Sequence, residues 1–383
     1  MKPLASPSLP AALEDAHRAY VGTRYFASLD GLRCISILAV IGHHANVTGT
    51  HLLERGWLGV QLFFVISGYL ITTLLLREKE RTGGVSLSGF YARRSLRIFP
   101  LYYAVLALYV ALVLATERHS PAGEAFLANL PSFLTYTSNW FVPPAESPGV
   151  RVIFVFAWSL ATEEQFYLFW PLVVRSARRA TTPLWFISGL MLADLGLEAL
   201  AAAGMLPLGP VATRAVTSVA TTICMGCILA YALHSPRTFR WAYAVLGRAW
   251  SFPVALLATA ALYLLPGAPD ALVEVAMVAL IGAACIRPTH AWQGALRWRP
   301  VVHVGMVSYG VYMLHMLCIN AVRRLPLGDG LLAYAVAVAL SVGVATLSFR
   351  FFEQPFLRLK ERLGRTAETP GGGTAPAVVP PAA

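Results

Sequence analysis

The chain has 383 residues, 57% of them hydrophobic and 13% charged, against roughly 25% charged in an ordinary soluble domain. That balance excludes a water-soluble domain and describes a protein that lives in lipid. The formal net charge of +11 raises nucleic acid as a partner, and the placement of the basic residues argues against it.

The apolar residues come in runs of about 17 to 22, the length that crosses a hydrocarbon core of roughly 30 Å at 1.5 Å per residue. Ten such runs occur, at about 29–47, 57–76, 98–115, 156–174, 183–203, 212–233, 249–265, 271–287, 305–322 and 331–350. The expected fold is therefore all-α, a polytopic membrane bundle of about ten transmembrane helices. Most of the 30 Lys and Arg residues fall in alternate connections, at 1–28, 77–97, 175–179, 237–248, 287–299 and 350–383. The positive-inside rule then places both termini in the cytoplasm, and the basic charge is mostly topology.

Residues 1–24 lack an apolar core and are expected to form a cytoplasmic tail, not a cleaved signal peptide. Residues 25–358 make the membrane domain. Residues 359–383, rich in Gly, Pro and Ala, are expected to be a disordered cytoplasmic tail, with no second domain following. The one sizeable outer loop, about 116–155, carries Pro and Gly and is expected to be irregular. No internal repeat is apparent, which counts weakly against a transporter of two similar halves. The five cysteines all fall inside apolar runs, and Cys224 and Cys227, although a CxxC, lack the second pair or His neighbours that metal or redox chemistry needs. No metal site is expected.

Ionisable residues in a span cost about 2.5 to 3.5 kcal/mol on insertion scales and usually face a protein interior. The first run, "LDGLRCISILAVIGHHAN", carries Asp30, Arg33, His43 and His44. Arg33 and His44 are eleven residues apart, which returns the helix to within about 20° of the same face after a rise of about 16 Å. Both can line one passage; equally, Arg33 can snorkel to one surface and His44 reach the other. His43 points about 100° away and is the structural histidine. Asp30, three residues before Arg33, is placed to pair with it. In "FYARRSLRIFPLYY", Arg93, Arg94 and Arg97 enter the third run, and Arg94 and Arg97 share a face. Planar guanidiniums there suit the phosphates of a nucleotide-bearing ligand, although an ordinary positive-inside cluster reads the same way.

"FAWSLATEEQFYLFWPLVV" places Glu163 and Glu164 inside a span, either as one member of a structural ion pair or as part of a site. "VSYGVYMLHMLCIN" puts Ser308, Tyr312 and His315 on one stripe, with Tyr309 beside it, and such a stripe can be a site or helix glue. Glu353, before Pro355, reads as the end of the last helix. Together these residues form a polar line with a basic mouth in the cytoplasm. That line is either a transport path for an acylated or anionic metabolite or a transmembrane enzyme whose substrates arrive from opposite sides.

In this order the elements resemble the membrane acyltransferase-3 family over about residues 25–358. The family's basic residue, ten intervening residues and histidine are matched by Arg33 and His44. Its "FFVLSGFLI"-like element is similar to "FFVISGYLI", its paired arginines before a proline to Arg94 and Arg97 in "RRSLRIFP", and its Trp-Ser-Leu with downstream glutamate to "WSLATEEQFYL" with Glu163. "SYGVYMLH" and "EQPF" also look like the family's. Gln61 stands where relatives often have Asp, which removes an acidic role at that position. The esterase-like extracytoplasmic domain of many relatives is expected to be lacking.

The resemblance implies transfer of an acetyl or other short acyl group from acyl-CoA to a hydroxyl, with acyl-CoA as co-substrate and no permanently bound cofactor. Arg94 and Arg97, with Arg93, would hold the donor's phosphates. His44 would act as base or nucleophile, Glu163 would orient its imidazole, and Arg33 would hold a substrate oxygen. His315, Ser308, Tyr309 and Asp30 would support them. The acceptor implied is a carbohydrate of the cell envelope or a lipid-linked sugar, or alternatively a secreted small molecule such as a macrolide or its sugar. The location implied is the cell membrane.

Overall fold

The computed structural model describes residues 11–45, 53–143, 153–179, 181–206, 208–328 and 330–359. The expected disordered tail lies outside these residues, apart from Leu359. Among the described residues the secondary structure is helical, with no strand. In chain order the helices are α1 (Ala11–Gly22), α2 (Ala27–Ala45), α3 (Leu58–Thr82), α4 (Leu87–Thr116), α5 (Pro121–Ala128), α6 (Leu130–Leu134), α7 (Ser138–Phe141), α8 (Ala157–Ser176) and α9 (Thr182–Ala202). They continue as α10 (Pro210–Thr217), α11 (Thr221–His234), α12 (Pro236–Leu246), α13 (Ser251–Leu264), α14 (Asp270–Ile286), α15 (Gln293–Leu296), α16 (Arg299–Met306), α17 (Ser308–Val322) and α18 (Leu331–Ser348), which runs into a π-helical turn, Phe349–Glu353.

Where it is described, every apolar run falls on helix, the sixth being split between α10 and α11 and the ninth between α16 and α17. Among the described residues five helical segments are long and apolar enough to cross a membrane, or up to eight if each of three bent pairs is one span. This accounts for up to eight of the ten expected spans. Glu163, Glu164 and Gln165 make α8 less apolar, and α14 has only 17 residues.

Burial separates the centre from the rim. The apolar window of α3 is 78% buried, against 11% for α9 and 17% for α18, so α3 is the axial helix and the other two face outward. Alternate faces of α3 serve two apolar clusters, Val60 and Phe64 in one and Leu62, Val65 and Ile66 in the other. Without a strong apolar driving force between helices in lipid, close approach of small residues does the packing. A Cβ on Gly68 would lie 2.1 Å from the Ile223 carbonyl oxygen, and one on Gly226 would lie 2.3 Å from that of Val65, so α3 and α11 touch backbone to backbone. Thr222 adds a hydrogen bond to Gln61 at 2.7 Å, which makes Gln61 a structural partner. The CxxC belongs to the same contact, with Cys224 and Cys227 buried in the reduced form.

Part of residues 1–24 forms α1, tied down by Arg77, whose guanidinium donates to the carbonyls of Tyr20 and Thr23. The outer loop differs from its sequence reading as irregular. Within the described part of the outer loop, Pro121 and Pro131 occupy the first turns of α5 and α6, where a missing N–H costs nothing. Tyr102 and Tyr103 of α4 donate to the Phe133 and Leu134 carbonyls, which folds α6 back against the bundle.

Gly68→Ala should destabilise the protein by about 1–3 kcal/mol, since the obstructing atom is backbone and cannot rotate away. Gly343→Ala, with nothing within 4 Å, should leave the melting temperature in detergent unchanged or slightly raised.

Candidate active site

The polar residues of the spans form a linked series. At one end lie the arginines. Arg97 feels the charges of Arg33, Arg94 and Glu353. The surface of Arg97 is partly accessible. Arg33 is aimed by Asp30 at 2.9 Å, and Tyr25 also donates to that carboxylate. Asp30 is fixed in turn, because Gly305 of α16 packs against its carbonyl oxygen. Arg94 lies over the Tyr167 ring, 4.5 Å from its centroid, a favourable cation–π placement. Arg93 is engaged by Glu78 of α3 at 3.6 Å, apart from the contacts of the other two.

Glu163 comes next. Ser67 of α3 donates to its Oε1 at 2.5 Å, and the Tyr167 hydroxyl donates to the same oxygen. On the same helix, α8, Ser159 meets Tyr312 of α17: the Tyr312 hydroxyl lies 2.6 Å from the Ser159 hydroxyl and donates to the Phe156 carbonyl at 2.8 Å, joining α17 to α8. Tyr309 donates to the Ile98 carbonyl at 2.7 Å, one residue beyond Arg97. Ser308 is buried in the first turn of α17.

At the far end stand two imidazoles. His315 is wholly buried, and its Nδ1 lies 2.5 Å from the Tyr312 carbonyl. A carbonyl only accepts, so Nδ1 carries the proton and Nε2 is an acceptor. His44 Nδ1 lies 3.0 Å from the Val40 carbonyl and 3.3 Å from His315 Nε2. The same logic assigns its proton to Nδ1 and leaves His44 Nε2 with a free lone pair. His44 is thus oriented by His315, not by Glu163, whose hydrogen bonds go to Ser67 and Tyr167. His43 turns to the Glu54 carbonyl at 3.1 Å.

Three features were not assigned from sequence. Ser67 lies in the quoted "FFVISGYLI", but its partner is 96 residues away. Tyr167, one turn from Glu163, had a local signal in the i, i+4 spacing. Glu353 reads as a helix end, yet it is buried on a π-helical turn, where Ser348 donates to it at 3.2 Å within electrostatic range of Arg97, and such turns concentrate at functional sites. Among the described residues no group of three His, Cys, Asp or Glu is placed to hold a metal.

A family model described as "Acyltransferase domain" matches residues 26–350. The chain belongs to this acyltransferase family, which favours the enzyme reading of the same charges. Among similar proteins, the peptidoglycan O-acetyltransferase OatA of Listeria monocytogenes is 29% identical over 356 residues, covering 87% of this chain and 56% of the relative. The O-acetyltransferase OatA of Staphylococcus aureus is 29% identical over 388 residues, covering 90% of this chain and 61% of the relative. The chain therefore spans little more than half the length of these relatives. No solved structure matches it.

Ser67 and Tyr167 share one carboxylate oxygen, so their contributions should be coupled. Ser67→Ala and Tyr167→Phe are each expected to lower stability by about 1–3 kcal/mol. The double variant should depart from additivity by about 0.5–3 kcal/mol in thermal unfolding; strict additivity would mean the two hydroxyls act independently.

Proposed function

We propose that this protein is a multi-pass O-acetyltransferase of the cell membrane that moves an acetyl group from acetyl-CoA in the cytoplasm to a carbohydrate hydroxyl of the cell envelope. The observation that carries the reading is the His44–His315 pair, a basic imidazole nitrogen held in one tautomer at the far end of a polar series that starts at an arginine cluster. The arrangement with ten spans and both termini in the cytoplasm draws support from the helix on every apolar run and from the segregation of basic residues.

Arg94 and Arg97 bind the donor's phosphates, a role suited to planar, permanently charged groups, with Arg93 at the edge. Arg33 spends one N–H on Asp30 and offers the others to a donor oxygen. The thioester extends along α8 and α17 toward the histidines. His44 Nε2 takes the proton from the acceptor hydroxyl as its oxygen attacks the thioester carbonyl. The resulting imidazolium is stabilised through Nδ1–H by His315 Nε2 and the Val40 carbonyl. Carbon–sulfur cleavage then releases coenzyme A, whose sulfur regains the proton from His44. Glu163 keeps the middle of the path polar and helps hold Tyr167 beneath Arg94. The carbohydrate acceptor is supported by the peptidoglycan O-acetyltransferase among the relatives.

Purified protein supplied with radiolabelled acetyl-CoA and soluble peptidoglycan oligosaccharides should form a labelled ester. His44→Ala should lower that transfer by about 10²–10⁴-fold, and His315→Ala by a smaller factor, because His44 is still present but less well oriented. Undiminished transfer by His44→Ala would remove the catalytic assignment, and label crossing the membrane without a new ester would favour transport.

A further inference from the structure

Glu163 and Glu164 are adjacent, but only one is satisfied. Glu163 accepts from Ser67 and Tyr167. Glu164, a 100° step round the helix, has its Oε1 buried without a hydrogen-bond partner. A polar atom kept in that state inside a bundle is costly and needs a reason.

Four tyrosines lie within electrostatic range of this carboxylate: Tyr102, Tyr103, Tyr136 and Tyr309. For Tyr136 the proximity is also geometric, since Gln165, next to Glu164, hydrogen-bonds to the Tyr136 backbone. Three of their hydroxyls are spent on the carbonyls of Phe133, Leu134 and Ile98. The Tyr136 hydroxyl is buried and, like Glu164 Oε1, has no partner. One region thus holds two orphan polar groups of complementary kind.

Tyr136 is held there against its backbone preference. Its φ is 53°, a left-handed conformation that a bulky side chain avoids. The next residue after Glu164 pins the turn: the Gln165 side-chain amide donates to the Tyr136 carbonyl at 2.8 Å and exchanges hydrogen bonds with Asn139 at 3.0 and 2.9 Å. The Tyr136 ring also stacks on Tyr102 at 4.3 Å and on Phe99 at 5.6 Å. Strain maintained by several independent contacts is characteristic of ligand sites. Arg94 lies 4.5 Å from the Tyr167 ring centroid, and Tyr167 donates to Glu163, the residue before Glu164, so the region adjoins the arginine cluster.

We propose that Glu164 and Tyr136 form a hydrogen-bonding site for an O–H or N–H group of a substrate. A carboxyl group accepts through its oxygens and, when protonated, also donates, and a phenol both donates and accepts, so the pair suits a hydroxyl or an amide. The inference rests on the acyl-transfer reading and names a substrate contact within it. Two sources offer the chemistry: the amide-bearing arm of the acyl donor, and an acceptor hydroxyl other than the one acylated.

The test uses full-length protein in lipid nanodiscs, carrying Glu164→Gln or Tyr136→Phe. KM for acetyl-CoA and KM for a soluble peptidoglycan oligosaccharide are measured separately, with the melting temperature. Each variant should raise one of the two KM values by about tenfold or more, the same one in both variants, as expected when a site built for a polar group loses its match. Melting of Glu164→Gln should be unchanged or raised, because it neutralises an unpaired buried acid. A rise for acetyl-CoA assigns the donor arm, and a rise for the oligosaccharide assigns the acceptor. Unchanged KM values in an otherwise active enzyme overturn the site and leave the acyl-transfer reading standing. A lowered melting temperature with both KM values unchanged makes Glu164 structural and overturns it as well. Wild-type protein that transfers no acetyl group overturns the site and the reading together.

Discussion

A charged or hydrogen-bonding side chain in the hydrocarbon core of a membrane has no water to turn to, so the protein itself must supply its partners. That constraint organises the interior of this bundle. Asp30 accepts from Arg33 and Tyr25, Ser67 and Tyr167 donate to Glu163, and Tyr312 ties to Ser159 and to a backbone carbonyl. The two imidazoles then complete the series through the carbonyls of Tyr312 and Val40 and through each other. Each partner comes from a different helix or from a nearby turn, so the helices must meet at fixed heights. The glycine contact between α3 and α11 contributes to this, because it sets the axial helix that carries Ser67.

The same requirement divides polar residues by role. Arg55 spends its guanidinium on the carbonyls of Leu262, Tyr263 and Ala268 and on Asp270, and Arg77 on those of Tyr20 and Thr23. These are staples, whose terminal nitrogens are spent on the fold's own oxygens. Arg94, Arg97 and the Nε2 atom of His44 retain unused hydrogen-bonding capacity among the described residues. That reserve is what the proposed donor and acceptor contacts would draw on.

Much of this was legible in the sequence, because helical periodicity fixes which residues share a face. It separated His44 from His43 and joined Arg33 to Asp30. Periodicity does not say which faces meet. His44 and His315 are 271 residues apart, and nothing in either segment reports that α2 and α17 are neighbours, so the orienting role was expected of Glu163. The same limit hid Ser67 behind Glu163 and Thr222 behind Gln61. The π-helical turn at Glu353 resembles a helix end before a proline, since the extra residue per turn leaves no compositional mark. Prolines in the outer loop read as breakers although two of them start helices, a distinction that depends on what the following turn packs against.

The central claim is that one polar path connects a donor on the arginine side with an acceptor on the histidine side. Proteoliposomes with uniformly oriented protein test it directly, with acetyl-CoA and a membrane-impermeant oligosaccharide confined to chosen sides. The account predicts labelled ester only when acetyl-CoA meets the arginine side and the oligosaccharide meets the opposite one. Ester formed only when both substrates share a side would contradict it.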